Sequence, residues 1–207
     1  MKLFLTSQAS QMMEKICSLI GREPEGLKCA FIPTAGDPYG PIKPWMHADR
    51  AKLVEMGLKV TNFDLKRKTE SKTRESLSQF DVIFVAGGNT FYLLNWARKS
   101  GFAKVAKELV AKGKIYIGSS AGSILIGPDI ISAGWGTESG WGDDNFLNMK
   151  DTTGIELVNF SVYPHFTEDQ RKLMETNAKV TEYPIIAITD QQMVVVDDED
   201  YKIVGRI

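Results

Sequence analysis

Five short runs of this chain are almost continuously apolar, and longer segments of helical periodicity separate them. The runs, residues 2–6, 29–33, 59–63, 82–86 and 114–118, are rich in β-branched and aromatic side chains. A strand with one wet face alternates apolar and polar residues. A strand that does not alternate is buried on both faces, as in a parallel sheet covered by helices. Segments of helical periodicity at 8–20, 45–56, 70–79 and 91–111 fill the intervals, and Ser100-Gly101, with the composition of a C-cap, divides the last into two helices. The pattern predicts an α/β fold: a three-layer, doubly wound, mostly parallel sheet. After residue 118 the alternation loosens into a strand at 129–133, a loop rich in Gly, Trp and Asp at 134–148, a strand at 160–164, a helix from 167 to about 180, and short strands at 185–189, 193–196 and 202–204. Those last three, separated by Asp190-Gln191 and by residues 197–200, read as antiparallel additions at one edge of the sheet.

The 207 residues, 43% of them apolar, suffice for one sizeable core and are read as a single domain over 1–207. With 25 basic against 26 acidic residues, the net charge of -1 gives no pull toward nucleic acid or an anionic membrane, so neither is an expected partner. Cys17 and Cys29 sit in apolar settings, which reads as two buried free thiols in a reducing, cytoplasmic compartment rather than a disulfide or a metal site. The N-terminal apolar run at 2–6 is too short for a signal peptide, and no stretch approaches a membrane span.

In open sheets of this class, function gathers beyond the carboxyl ends of the strands. Three candidate strand ends carry chemistry. Gly118-Ser119-Ser120-Ala121-Gly122 follows the strand at 114–118 and precedes a short apolar helix, the setting of a nucleophile elbow that holds Ser120 clear of the sheet. At a helix N-terminus, free N–H groups and the positive end of the helix dipole face any oxyanion formed by attack. Gly87-Gly88-Asn89 ends the neighbouring strand, where one N–H could join that of Ala121 in an oxyanion hole; Asn89 also fits as the cap of the next helix. A serine nucleophile needs a base, and the chain has two histidines. His47 falls within a candidate helix and reads as a surface or partly buried residue. His165 ends the strand at 160–164 and faces the same rim as Ser120, which makes it the better base. The acid that would orient it is open among Asp129, Glu138, Asp143, Asp144, Asp151 and Glu156.

Taken together, Phe31-Ile32-Pro33-Thr34-Ala35, Gly87-Gly88-Asn89-Thr90-Phe91, the elbow and Pro164-His165-Phe166 resemble the peptidase E and cyanophycinase family of serine peptidases nearly end to end. The resemblance implies a fold like that of class I glutamine amidotransferases on a flavodoxin-like core, no cofactor and no metal. It also implies hydrolysis of short peptides through an acyl-enzyme. By match of motif, Ser120 is the nucleophile, His165 the base, and Gly88 and Ala121 the oxyanion donors. The Asn-Asp-Met-Pro context in which peptidase E carries an Asp is absent. The cyanophycinase-like branch uses Glu, so Glu138, at a comparable distance past the elbow, is the expected acid, with Asp143 and Asp144 behind it.

Peptidase E cleaves dipeptides with N-terminal Asp, which implies a dipeptidase or a peptidase acting at Asp. A buried Arg or Lys is the physical requirement for reading that carboxylate. Arg171 is the near match, and Asn89 is the second expected substrate contact. The family is often dimeric, so a homodimer is compatible with the resemblance. A non-peptide amidase or esterase, or an inactive small-molecule-binding member of the fold, are the alternatives. The loop containing Trp135 and Trp141 reads equally as a mobile wall over the site or as a surface or oligomer contact.

Overall fold

In the computed structural model, which describes residues 1–206, a seven-stranded sheet carries helices on both faces. The strands are β1 (Lys2–Thr6), β2 (Lys28–Ile32), β3 (Lys59–Asn62), β4 (Val82–Val85), β5 (Ile115–Ser119), β8 (Gln192–Asp197) and β9 (Asp200–Gly205), in the order β3-β2-β4-β5-β1-β8-β9. The first five are parallel, and β8 and β9 extend the sheet antiparallel from β1. The central strands bury both faces because successive apolar side chains point to opposite sides: Leu3 and Leu5 into one core, Phe4 into the other.

Helices α1 (Ala9–Leu19) and α2 (Pro44–Glu55) cover the Phe4 face through Met13, Ile16, Met46 and Leu53, and Phe31 stacks on Phe84 beneath them at 5.1 Å. On the opposite face lie α3 (Glu70–Leu77), α4 (Thr90–Lys99), α5 (Phe102–Ala111) and the single turn α6 (Ala121–Ile124), which bury Leu77, Leu93, Leu94, Phe102, Val105 and Ile124. Gly101, at φ 71°, makes the break between α4 and α5 that Ser100-Gly101 predicts. The resulting three layers match the expected fold class.

Three expectations for the second half of the chain change. Residues 129–133 form no strand: Asp129 makes one isolated antiparallel bridge to Thr153, and Ile131–Gly134 closes into a 3-10 turn. β6 (Ser161–Tyr163) pairs in parallel with β7 (Ile185–Ala187) in a separate two-stranded ribbon, so β7 is not an addition to the edge of the main sheet. The helix expected from 167 begins as a 3-10 turn, Glu168–Gln170, under a Thr167–Gln170 capping box, and continues as α7 (Arg171–Ala178).

β5 lies between β1 and β4, so the chain leaves three adjacent parallel strands at one rim: Ser7 after β1, Gly87 and Gly88 after β4, and Ser120 after β5. β8 runs the other way and therefore starts at that same rim, where Met193 pairs with Thr6. That register sets Asp190, in the turn before β8, beside Ser7.

Candidate active site

The elbow is built by close backbone approach. A Cβ on Gly118 would stand 2.7 Å from the Gly122 carbonyl, and one on Gly122 would overlap the Val85 carbonyl oxygen of β4. With both glycines in place the chain turns sharply, and Ser120 takes φ 48° and ψ -108°, a conformation rarely held by a residue with a side chain. Its N–H donates to the Thr6 carbonyl at 2.9 Å, which ties the turn to β1. Strain of this kind persists only where the surroundings over-determine it.

Ser120 Oγ lies 3.0 Å from His165 Nε2. On the far side of the ring, Nδ1 is 2.6 Å from Asp190 Oδ1. With Nδ1–H donating to the carboxylate, Nε2 is left to accept from the serine hydroxyl. His165 is itself at φ 57°, and its backbone N–H donates to Ser7 Oγ at 2.7 Å. The Ser7 hydroxyl in turn donates to Asp190 Oδ1 at 2.6 Å. One hydroxyl thus fixes both the backbone of His165 and the carboxylate that faces its ring. The hydrogen bond from His165 holds the Asp190 carboxyl below its ordinary value, helped by Ser7 and opposed by partial burial.

A cavity of about 370 Å³ opens at Ser120. Gly87 and Gly88 form part of its wall; Tyr39, Trp45, Trp141 and Tyr163 supply aromatic surface. Among the described residues, neither the Gly88 N–H nor the Ala121 N–H donates to a protein acceptor. Two carboxylates line the same cavity. Asp49 accepts the Ser10 N–H at 2.8 Å, and burial pushes its carboxyl up to about 6 against the hydrogen bonds from Ser119 and Ser10. Asp143 accepts from the N–H and hydroxyl of Thr90 at 2.8 and 2.6 Å, and burial raises its carboxyl as well. Among the described residues there is no group of three His, Cys, Asp or Glu side chains that could hold a metal ion.

A family model, peptidase family S51, matches residues 3–204. The chain belongs to this family. The peptidase is 28% identical to an uncharacterised peptidase of Pasteurella multocida over 99% of this chain and 98% of that one. It is 31% identical to an uncharacterised peptidase of Listeria monocytogenes over 87% and 85%, and 28% identical to a peptidase E of Shigella flexneri over 81% and 69%. A crystal structure from Listeria monocytogenes, of a protein provisionally assigned as peptidase E, superposes with a TM-score of 0.84 at 28% identity, covering 100% of this chain and 98% of that one.

Not every residue singled out in the peptidase's sequence reaches this site. Glu138 is exposed in the 3-10 turn Thr137–Ser139 and makes no side-chain hydrogen bond among the described residues; it is Asp190 that meets Nδ1 of His165. The stretch after the elbow is tied instead to the start of α4, where Thr90 donates to Asp143 and Asn89 to the Asp144 carbonyl, beside the cavity. Asn89 spends its amide on structure: its oxygen caps α4 at the Tyr92 N–H, and its nitrogen donates to the Asp144 carbonyl. Arg171 lies outside the cavity, in a groove beyond His165, where it is paired with Glu168 at 2.7 Å and lies over the Phe166 ring. His47 is exposed. Trp141 lines the cavity, whereas Trp135 is buried against Tyr163.

Asp190 and Ser7 went unnoticed in the sequence. The available signal was topological: an antiparallel strand beside β1 begins at the rim where β1 ends, so the turn before it belongs to the site.

Proposed function

We propose that the peptidase hydrolyses short peptides through a Ser120–His165–Asp190 triad and an acyl-enzyme. The observation that carries this reading is the continuous hydrogen-bonded line from Ser120 Oγ through both ring nitrogens to Asp190. His165 takes the Ser120 proton as Oγ attacks the scissile carbonyl, then returns it to the leaving amine; water reverses the sequence to release the acid. Asp190 stabilises the imidazolium that forms in between, and Ser7 keeps Asp190 and His165 in register. Gly88 and Ala121 direct unengaged N–H groups to the developing oxyanion.

A cavity of about 370 Å³ suits a substrate of a few residues. Among the described residues no Lys or Arg lines it, so a preference for Asp at the cleavage site does not form part of this reading. The unpaired buried thiols of Cys17 and Cys29 support a reducing, cytoplasmic compartment. Among the described residues no helix is long and apolar enough to cross a membrane.

A fluorophosphonate probe tests the nucleophile directly. It is expected to label the parent on Ser120 and to leave Ser120→Ala unlabelled. Full retention of peptide hydrolysis by Ser120→Ala would overturn the assignment.

A further inference from the structure

The cavity beside Ser120 holds negative charge that acyl transfer does not use. Asp49 and Asp143 both line it, and among the described residues the one basic side chain in its wall, His165, is committed to Ser120 and Asp190. A carboxylate taken out of water without a countercharge is costly; Asp49 is buried, Asp143 half-buried, and desolvation raises both. Asp143 divides its oxygens unequally. Oδ2 takes both bonds from Thr90, while Oδ1 has a single long contact of 3.4 Å with the Tyr39 hydroxyl. Acceptor capacity is left over on that oxygen.

A second and independent observation comes from Ser132. It lines the same cavity, is 2% exposed, and its Oγ has no hydrogen-bond partner among the described residues. Buried hydroxyls are nearly always satisfied, and one left open in a cavity wall is a place for a ligand group. Its neighbour Ala133 receives the Asp143 N–H at 2.6 Å, which binds the two segments together. Tyr39, Trp45 and Trp141 add aromatic surface.

An ammonium group is the ligand chemistry that meets all of these requirements. It brings three donors, the charge that buried Asp49 and half-buried Asp143 lack, and a tolerance for aromatic faces. A neutral amide would meet a hydrogen-bond acceptor but leave the charge uncompensated. A substrate carboxylate would add a third negative group to a wall without a cation.

We propose that Asp143 and Ser132 form a subsite that receives an ammonium group of the peptide substrate, between Tyr39 and Trp141 and in the negative field of Asp49. The proposal rests on the peptidase reading above. The ammonium has two sources in peptides, the N-terminal amine and a lysine side chain, and one set of substrates separates them.

The full chain is assayed on aminomethylcoumarin amides of norleucine, N-acetyl-norleucine and N-acetyl-lysine. At least one substrate carrying an ammonium is expected to exceed N-acetyl-norleucine by about 30-fold or more in kcat/KM, and Asp143→Asn is expected to collapse that ratio toward unity. Preference for free norleucine identifies the N-terminal amine; preference for N-acetyl-lysine identifies the side chain. Asparagine still accepts both Thr90 bonds, so a capping role alone leaves the ratio intact. An absent ratio in the parent, or one unchanged in Asp143→Asn, overturns the proposal.

If that variant does not fold, or if none of the amides is cleaved, the parent supplies a second measurement. Butylammonium is expected to slow fluorophosphonate labelling of Ser120 where butanol does not, and equal protection or none overturns the subsite. The two readings fail separately. Absent labelling, or hydrolysis surviving in Ser120→Ala, defeats the peptidase assignment; labelling with no ammonium preference defeats the subsite alone.

Discussion

Asp190 and Asp143 are two carboxylates of one active-site region, and their environments push them in opposite directions. Asp190 is 45% exposed and meets an imidazole at 2.6 Å; its carboxyl is held down. Asp143 is deeper, is served by Thr90 and Tyr39, and has no basic side chain against it; its carboxyl is raised. Depth and partner decide the outcome, since burial disfavours charge and a hydrogen-bond donor to the charged form favours it. A carboxylate that has found its partner within the chain reads as machinery. One still lacking a positive partner reads as a place for something the chain does not contain.

The comparison can be broken at several points. Ser120→Ala should have the largest effect, a fall of about 10⁴-fold or more in kcat/KM on any peptide the parent cleaves, measured under single-turnover conditions. Asp190→Asn comes next, at about 10²- to 10⁴-fold, because the amide both removes the charge and favours the wrong imidazole tautomer. Glu138→Gln, assayed beside it, should stay within about threefold, as expected of an exposed charge away from the site. A large loss in Glu138→Gln with little in Asp190→Asn would reverse the assignment.

Ser7→Ala should cost about tenfold, mainly in kcat, because the hydroxyl holds both the His165 backbone and the Asp190 carboxylate. The acid limb of the pH–rate profile should move at the same time, a change that a general loss of packing would not produce.

The smallest effect concerns stability. Burial raises Asp49 from 3.8 to about 6, so between these pH values the folded chain binds more protons than the unfolded chain and stability falls as pH rises. Above about pH 6 the parent carries the full cost, up to about 3 kcal/mol. Asp49→Asn should therefore melt higher than the parent at pH 7, and the two should converge below pH 4. Denaturant melts at the two pH values measure the difference.

The first half of the chain was legible because its signals are local. Continuous apolar runs reveal strands covered on both faces, and the two glycines around Ser120 reveal a turn in which a single Cβ would meet backbone. Chain order and a scarcity of histidines were enough to pair Ser120 with His165. The second half depends on choices that no local pattern records. Residues 185–187 are as apolar as any edge strand, yet pair with β6 because the ribbon, not the sheet, is what they reach after α7. Asp190 was read as a polar connector between strands, and locally it is one. Its partner Ser7 stands 183 positions earlier, and only the antiparallel register of β8 on β1 brings them together. Asp190 also follows His165 in the chain, whereas the acids that chain order suggests all lie between Ser120 and His165.

The position of β8 has a consequence for synthesis. A growing chain that has emerged only as far as α7 already carries Ser120 and His165, but not the carboxylate that orients the ring or the strand that sets it against Ser7. Domains generally fold as units. Only when β8 lies on β1 do Asp190 and Ser7 meet, so the hydrogen-bonded line from Ser120 through His165 to Asp190 is complete only in the finished sheet.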